Sequence, residues 1–233
     1  MAERNLVINK YEVALFPKDF YISDLNILLE EIRDGVDVFS DGNNIILPIP
    51  STAPREIPRL LLRSKDNSVA CNLSFDKINI QWINQTEISS FSLPLDKIQD
   101  LVGKLSDIIF HHSPSQNKMK RVGYIKEIFF LSQNPTKDIS ETVFKERLTE
   151  NLRTFLFNLT FNLTLNNIDC NQVVTIGDGI KNVGNKGKVI MLMKDINTRQ
   201  DKDMNWDSEK IKTFIQEADN KLDKKDMYSS IFD

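Results

Sequence analysis

The sequence predicts an α+β fold: a duplicated β-α-β-β-β-α unit, with antiparallel sheets whose helices pack on one face. Residues 155–165 alternate apolar and polar side chains with a period of two, broken only at Leu156, which is typical of a half-buried strand. Residues 95–110 instead place apolar side chains at helical spacing. The same order of elements then occurs in both halves of the chain, which indicates a repeat.

The first half contains a strand, a helix, an irregular proline-rich connection, three strands and a second helix, which we predict at residues 6–16, 22–32, 48–58, 59–63, 69–75, 78–82 and 95–110. Pro17 ends the first strand, and Asp24 is available to cap the first helix, which Gly35 follows. The prolines between residues 48 and 58 exclude that stretch from the interior of a sheet.

The second half repeats this order, with a strand, a helix, three strands and a helix predicted at residues 121–131, 139–152, 155–165, 170–176, 189–193 and 211–222. Four of the eight glycines fall between residues 177 and 187, and we interpret this segment as a mobile connection.

Short segments of the two halves also align with each other. Glu12–Phe16 corresponds to Glu127–Leu131, and a helix follows each of these strands. We therefore predict a first α+β repeat over residues 1–113 and a second over residues 119–233. The linker, residues 113–118, is short, which favours one pseudo-symmetric globular unit with a shared core or a continuous sheet.

Composition excludes several classes of protein. The chain has 233 residues, 30 Lys and Arg against 33 Asp and Glu, and two cysteines. No apolar run approaches the ~20 residues of a membrane span, and the first residues do not resemble a secretory signal. Two cysteines are too few for a disulfide framework, so we expect a cytoplasmic protein with no membrane association.

The sequence gives little support for a cofactor or a metal. His111 and His112 are the only histidines, and adjacent residues of a helix point about 100° apart, which is unsuitable for one shared ion. The glycines before Lys188 resemble a phosphate loop, but Val189 stands where that loop needs Ser or Thr. We expect no cofactor, no metal and no defined catalytic residues.

Two alternative functions remain open. A small hydrolase-type enzyme would use Asp195 and Asp169 with His111 or His112. A nucleic-acid-associated subunit would use two basic clusters, at residues 55–65 and 118–126, whose members include Arg55, Arg59, Arg63, Lys118, Lys120 and Arg121. The chain is slightly acidic overall, which disfavours the second alternative.

An uncharged strand and an apolar tail are the features that favour protein binding. The polar side of strand 155–165 carries hydrogen-bonding side chains without charge, which is typical either of a solvated sheet face or of a face or edge that meets another protein or a second copy, because uncharged edges invite pairing. The end of the chain is rich in apolar side chains. The predicted partner-binding residues are Asn158, Thr160, Asn162, Thr164, Met227, Tyr228, Ile231 and Phe232.

Several segments resemble a sporadically distributed family of conserved hypothetical proteins of bacteria and archaea. The resemblance rests on Ile57–Leu62, Asn79–Trp82, Arg121–Ile125, Met191–Asn197 and the Met227–Phe232 cluster. It implies a cytosolic, oligomeric accessory protein from mobile or antiviral defence loci. The arrangement of strands and helices is also similar to SecB-type chaperones and their antitoxin-chaperone relatives, at the level of fold only.

The leading hypothesis is therefore a non-enzymatic protein-binding accessory module. We expect it to bind a protein partner or a second copy of itself, as an oligomer or within a hetero-complex.

Overall fold

One strand from the start of the chain, β1 (Val7–Pro17), lies in the middle of a single large antiparallel sheet. The computed structural model describes residues 7–85, 94–113, 118–143, 156–181, 187–199 and 204–222. Over these residues the fold is mixed, with ten strands in one sheet and five helices. No helix among them is both long and apolar enough to cross a membrane.

The other strands are β2 (Ile45–Ile46), β3 (Leu60–Arg63), β4 (Val69–Leu73), β5 (Ile78–Ile83), β6 (Lys118–Leu131), β7 (Leu156–Leu165), β8 (Ile168–Lys181), β9 (Gly187–Thr198) and β10 (Met204–Asn205). The helices are α1 (Leu25–Gly35), α2 (Asp37–Ser40), α3 (Leu95–His111), α4 (Pro135–Val143) and α5 (Ser208–Lys221).

The strand order is β2-β3-β4-β5-β1-β6-β9-β8-β7, and β10 adds a short pairing to β6. β1 pairs with β5 on one side and with β6 on the other, so Val13 lies opposite both Ile80 and Tyr124. This double pairing joins the strands of the two halves of the chain into one continuous sheet.

The helices pack against one face of this sheet. Side chains alternate along β1, so that Val13 and Leu15 join the main core, whereas Glu12 and Ala14 lie on the opposite face. The buried hydrophobic side chains of α1, α2, α3 and α5 and Ile139 of α4 all belong to that core. A small second cluster, Val7, Phe129 and Val189, contains no helix residue. We call the side without described helices the open face.

Local sequence signals explain where several elements begin and turn. The Asp24 side chain accepts hydrogen bonds from the backbone N–H groups of Asn26 and Ile27, which caps α1 as its sequence predicted. Pro135 begins α4, the helical position where its missing N–H is harmless. Asn166 and Asn167 both have positive φ angles, 46° and 63°, and make the two-residue turn between β7 and β8.

The prediction of a mobile connection at residues 177–187 is wrong in its first part, because β8 continues to Lys181. Gly177 and Gly179 are strand residues that lie beside β9. A Cβ atom at Gly179 would lie 3.2 Å from the Sδ atom of Met191, so glycine leaves room for that side chain. The helix predicted at 139–152 begins earlier, at Pro135, and residues 144–152 lie outside the described part.

A buried polar group connects α5 to the sheet. The Lys126 ammonium and the Tyr124 hydroxyl each donate to Asp219 Oδ1 over 2.8 Å. The Lys126 side chain is 6 % exposed and its Nζ lies 5.5 Å from the centre of the Tyr11 ring. Burial, followed by the charge of Asp219, raises the pKa of both tyrosines, so both hydroxyls keep their protons.

Removing Asp219 leaves the buried Lys126 ammonium without its counter-ion. We expect Asp219→Ala to lower the free energy of unfolding by about 2–4 kcal/mol, because an uncompensated buried charge is strongly destabilising. Urea denaturation at neutral pH measures this value. Glu209→Ala, on the exposed side of the same helix, is the control and should change it by less than about 0.5 kcal/mol. Equal effects of the two substitutions would contradict this role for Asp219.

Candidate functional site

Strand β7 is one edge of the sheet. It pairs with β8 in unbroken register from Leu156, opposite Gly177, to Leu165, opposite Ile168. No described strand pairs with its other side. The prediction of a strand at residues 155–165 is therefore confirmed for 156–165, and the strand occupies a position where another chain can pair with it.

The backbone groups that point away from the sheet belong to the polar residues of β7. The carbonyl group of Asp169 accepts a hydrogen bond from the Arg199 N–H. The backbone N–H and C=O groups of the odd-numbered residues of β8 therefore point toward β9, and those of its even-numbered residues point toward β7. The β7 residues opposite those even positions are 157, 159, 161, 163 and 165. The N–H and C=O groups of residues 158, 160, 162 and 164 therefore point outward.

The side chains of β7 are unusually exposed for a strand with five alternating apolar residues. Leu159 is 37 % exposed and Phe161 48 % exposed, although both lie on the same face as the helices. Asn158, Thr160, Asn162 and Thr164 are exposed on the open face. β7 contains no charged residue and no proline, which are the usual protections of an edge strand.

The opposite edge of the sheet differs from β7. It is formed by β2, which is only two residues long. A short edge strand offers few backbone groups for pairing. The extended, uncharged edge is therefore found at β7. The other predicted contact residues, Met227, Tyr228, Ile231 and Phe232, lie outside the described part of the chain.

The first basic cluster is held by contacts within the protein. Arg59 is 2 % exposed, and the guanidinium groups of Arg55, Arg59 and Arg63 all donate to backbone carbonyl groups. Their carbonyl acceptors are Phe20 and Phe75 for Arg55, Pro50, Ala53 and Pro54 for Arg59, and Leu62 for Arg63. The contacts of Arg59 hold the proline-rich connection against the sheet.

The second basic cluster is divided between different surroundings. Lys118 and Lys120 are exposed at the start of β6. Arg121 is half-buried on the open face, where its guanidinium carbon lies 4.0 Å from the centre of the Phe16 ring. Arg121 is thus adjacent to other polar residues of the open face, whereas Arg59 is inside the protein.

The structure does not bring the predicted acid–base residues together. His112 lies at the end of α3, with its Nε2 atom 2.9 Å from a Glu31 carboxylate oxygen of α1. Asp169 and Asp195 lie on the open face, on the other side of the sheet from this helix layer. Asp169 lies beside Arg199, whose backbone N–H donates to the Asp169 carbonyl group. Arg199 follows Asp195 by four residues, which is about 13 Å along an extended strand, so the two carboxyl groups are far apart.

Two carboxyl groups of the open face have pKa values shifted in opposite directions. Burial raises the pKa of Glu12, but hydrogen bonds and charges from Lys10, Lys77 and Gln81 outweigh it, and the net shift is downward. Burial raises the pKa of Asp195, the negative charge of Glu12 adds to this, and Asn197 and Arg121 oppose it only in part.

Sequence reasoning identified Asp195 and Arg121 but missed Glu12, which is 5 % exposed. The sequence did contain a signal for this residue, because Glu12 is the one charged residue in the segment Tyr11–Phe16. The thiols offer no nucleophile, because burial raises the pKa of Cys71 to about 12 and that of Cys170 to about 11.

No family model matches this chain, and no curated protein or solved structure matches it either. The resemblances to the conserved hypothetical family and to SecB-type chaperones stay predictions. In the described ranges, no group of three or more His, Cys, Asp or Glu residues is placed to hold a metal ion.

The two carboxyl groups should affect stability in opposite directions. The lowered pKa of Glu12 means that its stabilising contribution is present above about pH 4.5 and is lost as pH falls through its folded-state value. The raised pKa of Asp195 means that the folded state loses stability as pH rises from about 3.8 through its folded-state value.

We therefore expect Glu12→Gln to lower the free energy of unfolding at pH 7, by about 1–2 kcal/mol for its lost charged hydrogen bonds. Asp195→Asn should raise it, because the buried charge is removed. Urea denaturation at pH 7 and at pH 4 measures both effects, which should shrink at the lower pH. A loss of stability at pH 7 in both variants would contradict the assignment.

Proposed function

We propose that this chain is a non-enzymatic protein-binding module that associates through strand β7, and that the strand it accepts is the β7 strand of a second copy. The observation that carries this proposal is the edge position of β7, which no described strand covers and whose backbone groups at residues 158, 160, 162 and 164 point outward. Main-chain hydrogen bonds of an added strand would satisfy these groups.

The sequence of β7 is suited to pairing with itself. Because it carries no charge, two copies can meet without like-charge repulsion. In an antiparallel pair with Thr160 opposite its own copy, apolar residues lie opposite apolar residues and polar residues opposite polar ones. Leu159 then lies opposite Phe161, which covers the two exposed apolar side chains on the helix-covered face.

The strand order also supports the duplicated unit that the sequence predicts. In the first half, β3, β4 and β5 lead inward to β1, and in the second half β7, β8 and β9 lead inward to β6. Pairing through β7 would extend this arrangement, because it would join two such sheets edge to edge. We propose a cytoplasmic accessory role for the resulting assembly.

A proline at position 160 tests the proposal. Thr160→Pro removes an N–H that points outward and not toward β8, and edge strands tolerate such a proline. We expect the unchanged protein to be a dimer by light scattering coupled to size exclusion, and Thr160→Pro to be a monomer. Thr160→Ala is the matched control, because it loses the same hydroxyl but keeps the N–H, and it should remain a dimer.

Circular dichroism and thermal unfolding show whether each variant is folded. A folded Thr160→Pro protein that still forms the dimer would overturn pairing through β7. An unchanged protein that stays monomeric at its highest soluble concentration would overturn association with a second copy.

A further inference from the structure

A cleft lies on the helix-covered side of the sheet, in the first half of the chain. Strands β4 and β5 form one wall, the first turns of α3 form another, and the junction of α1 and α2 forms the third. Its volume is about 480 Å³, which is within the range of sites that hold small molecules. β4 and β5 lie on one side of β1 and β7 is the far edge on the other side, so this cleft is separate from the proposed pairing surface.

The inner part of the cleft is apolar. Val69 and Trp82 lie directly opposite each other in β4 and β5, and both belong to the main core. Leu101 of α3 and Val36, which are also core residues, complete the lining from the other two walls. Val36 has extended backbone angles, φ −133° and ψ 90°, so the chain changes direction there between α1 and α2. An aromatic ring placed in the cleft would be buried against these four side chains.

Trp82 also brings a hydrogen-bond donor to the cleft. The residue is only 3 % exposed, and buried tryptophans usually pair their indole N–H. This N–H donates to no described residue, yet its nitrogen is not sealed from solvent, so it opens onto the cleft that Trp82 lines. A ligand that carries an acceptor group can therefore take this hydrogen bond.

The charged side chains of the cleft lie at its rim. Lys104 and Asp100 satisfy each other, because their ammonium and carboxylate groups are 3.0 Å apart. Lys97, three residues before Asp100 on the same helix, makes no ion pair with a described residue. The remaining carboxylate, Asp37, belongs to a different wall, at the start of α2. The α3 wall therefore offers a free cation, at the end of the helix where the dipole is also positive.

We propose that this cleft binds a small aromatic carboxylic acid. Its rings pack between Trp82, Val69 and Leu101, and its carboxylate accepts from the Trp82 indole N–H and the Lys97 ammonium. The long, flexible lysine side chain lets the ammonium turn toward the cleft, and charge-assisted hydrogen bonds are the strong ones. Acids with two fused rings should bind more tightly than benzoate, because they bury more apolar surface.

Nuclear magnetic resonance titration of the whole protein with 2-naphthoate tests this site. The chain has two tryptophans, so two indole N–H signals report separately. We expect a saturable shift of the Trp82 signal. Trp206 is the internal control, because it is buried against Phe214 of α5 and does not line the cleft, and its signal should not move.

Probes with the same rings and a different charge test the choice of a carboxylate. Neutral 2-naphthamide keeps an acceptor for the Trp82 N–H but has no charge for Lys97, and it should bind about tenfold more weakly than 2-naphthoate. Cationic 2-naphthylmethylamine has neither an acceptor nor a negative charge, and it should bind more weakly still.

Two variants locate the binding within the cleft, with affinities measured by calorimetry. Lys97→Gln changes an exposed side chain, and it should weaken 2-naphthoate binding by about tenfold while leaving 2-naphthamide binding unchanged. Trp82→Phe keeps an aromatic core residue but removes the donor, and it should weaken the binding of both probes by about tenfold. Lys137→Gln, an exposed lysine of α4, is the matched control and should bind as the unchanged protein does.

Three results would overturn the proposal. One is the absence of a saturable shift of the Trp82 signal up to the solubility limit of 2-naphthoate. Another is 2-naphthamide or 2-naphthylmethylamine binding as tightly as 2-naphthoate, which would show that the cleft does not recognise a carboxylate. The last is unchanged affinity for 2-naphthoate in Lys97→Gln, whose exposed position leaves the fold intact.

Discussion

The rest of the structure depends on the position of β1 between β5 and β6. β1 pairs with a strand on each side, and it is the only described strand that joins β2–β5 to the second half of the sheet. Its side chains Val13 and Leu15 are fully buried. The helices of both halves then cover one continuous face, and their buried side chains form a single main core. A chain that failed to place β1 would have two separate sheets and two incomplete cores.

One-sided coverage of the sheet determines where the candidate surfaces lie. The core side has its charges paired internally, as in the contact of Lys126 with Asp219 under α5. The open face instead carries Glu12, Asp195 and Arg121 around Ala14 and Gly123, and the final strand β7 has an unpaired side among the described residues. The proposed pairing at β7 would use backbone groups, whereas the open face presents charged side chains between its central strands.

Local patterns in the sequence predicted the four longer helices and most strands, since alternation at 155–165 and helical spacing at 95–110 depend only on neighbouring residues. The extension of β8 through Gly177 and Gly179 was missed, because glycine indicates a turn unless the facing Met191 is known. The polar surroundings of Ala14 and Gly123 could not be predicted, because they depend on the register that places these two residues opposite each other, far apart in sequence. Asp195 was identified as a residue, but its burial beside Asn197 and Arg121 is a property of packing.

Residue-resolved amide hydrogen exchange, measured at low and at high protein concentration, tests most directly whether the outer side of β7 accepts a second copy. In dilute protein, the amides of residues 158, 160, 162 and 164 should exchange rapidly, while 157, 159, 161 and 163 are protected by β8. At high concentration, the even-numbered amides alone should gain protection. Protection of these four amides at every concentration, or rapid exchange of them in a sample that is dimeric, would contradict the account.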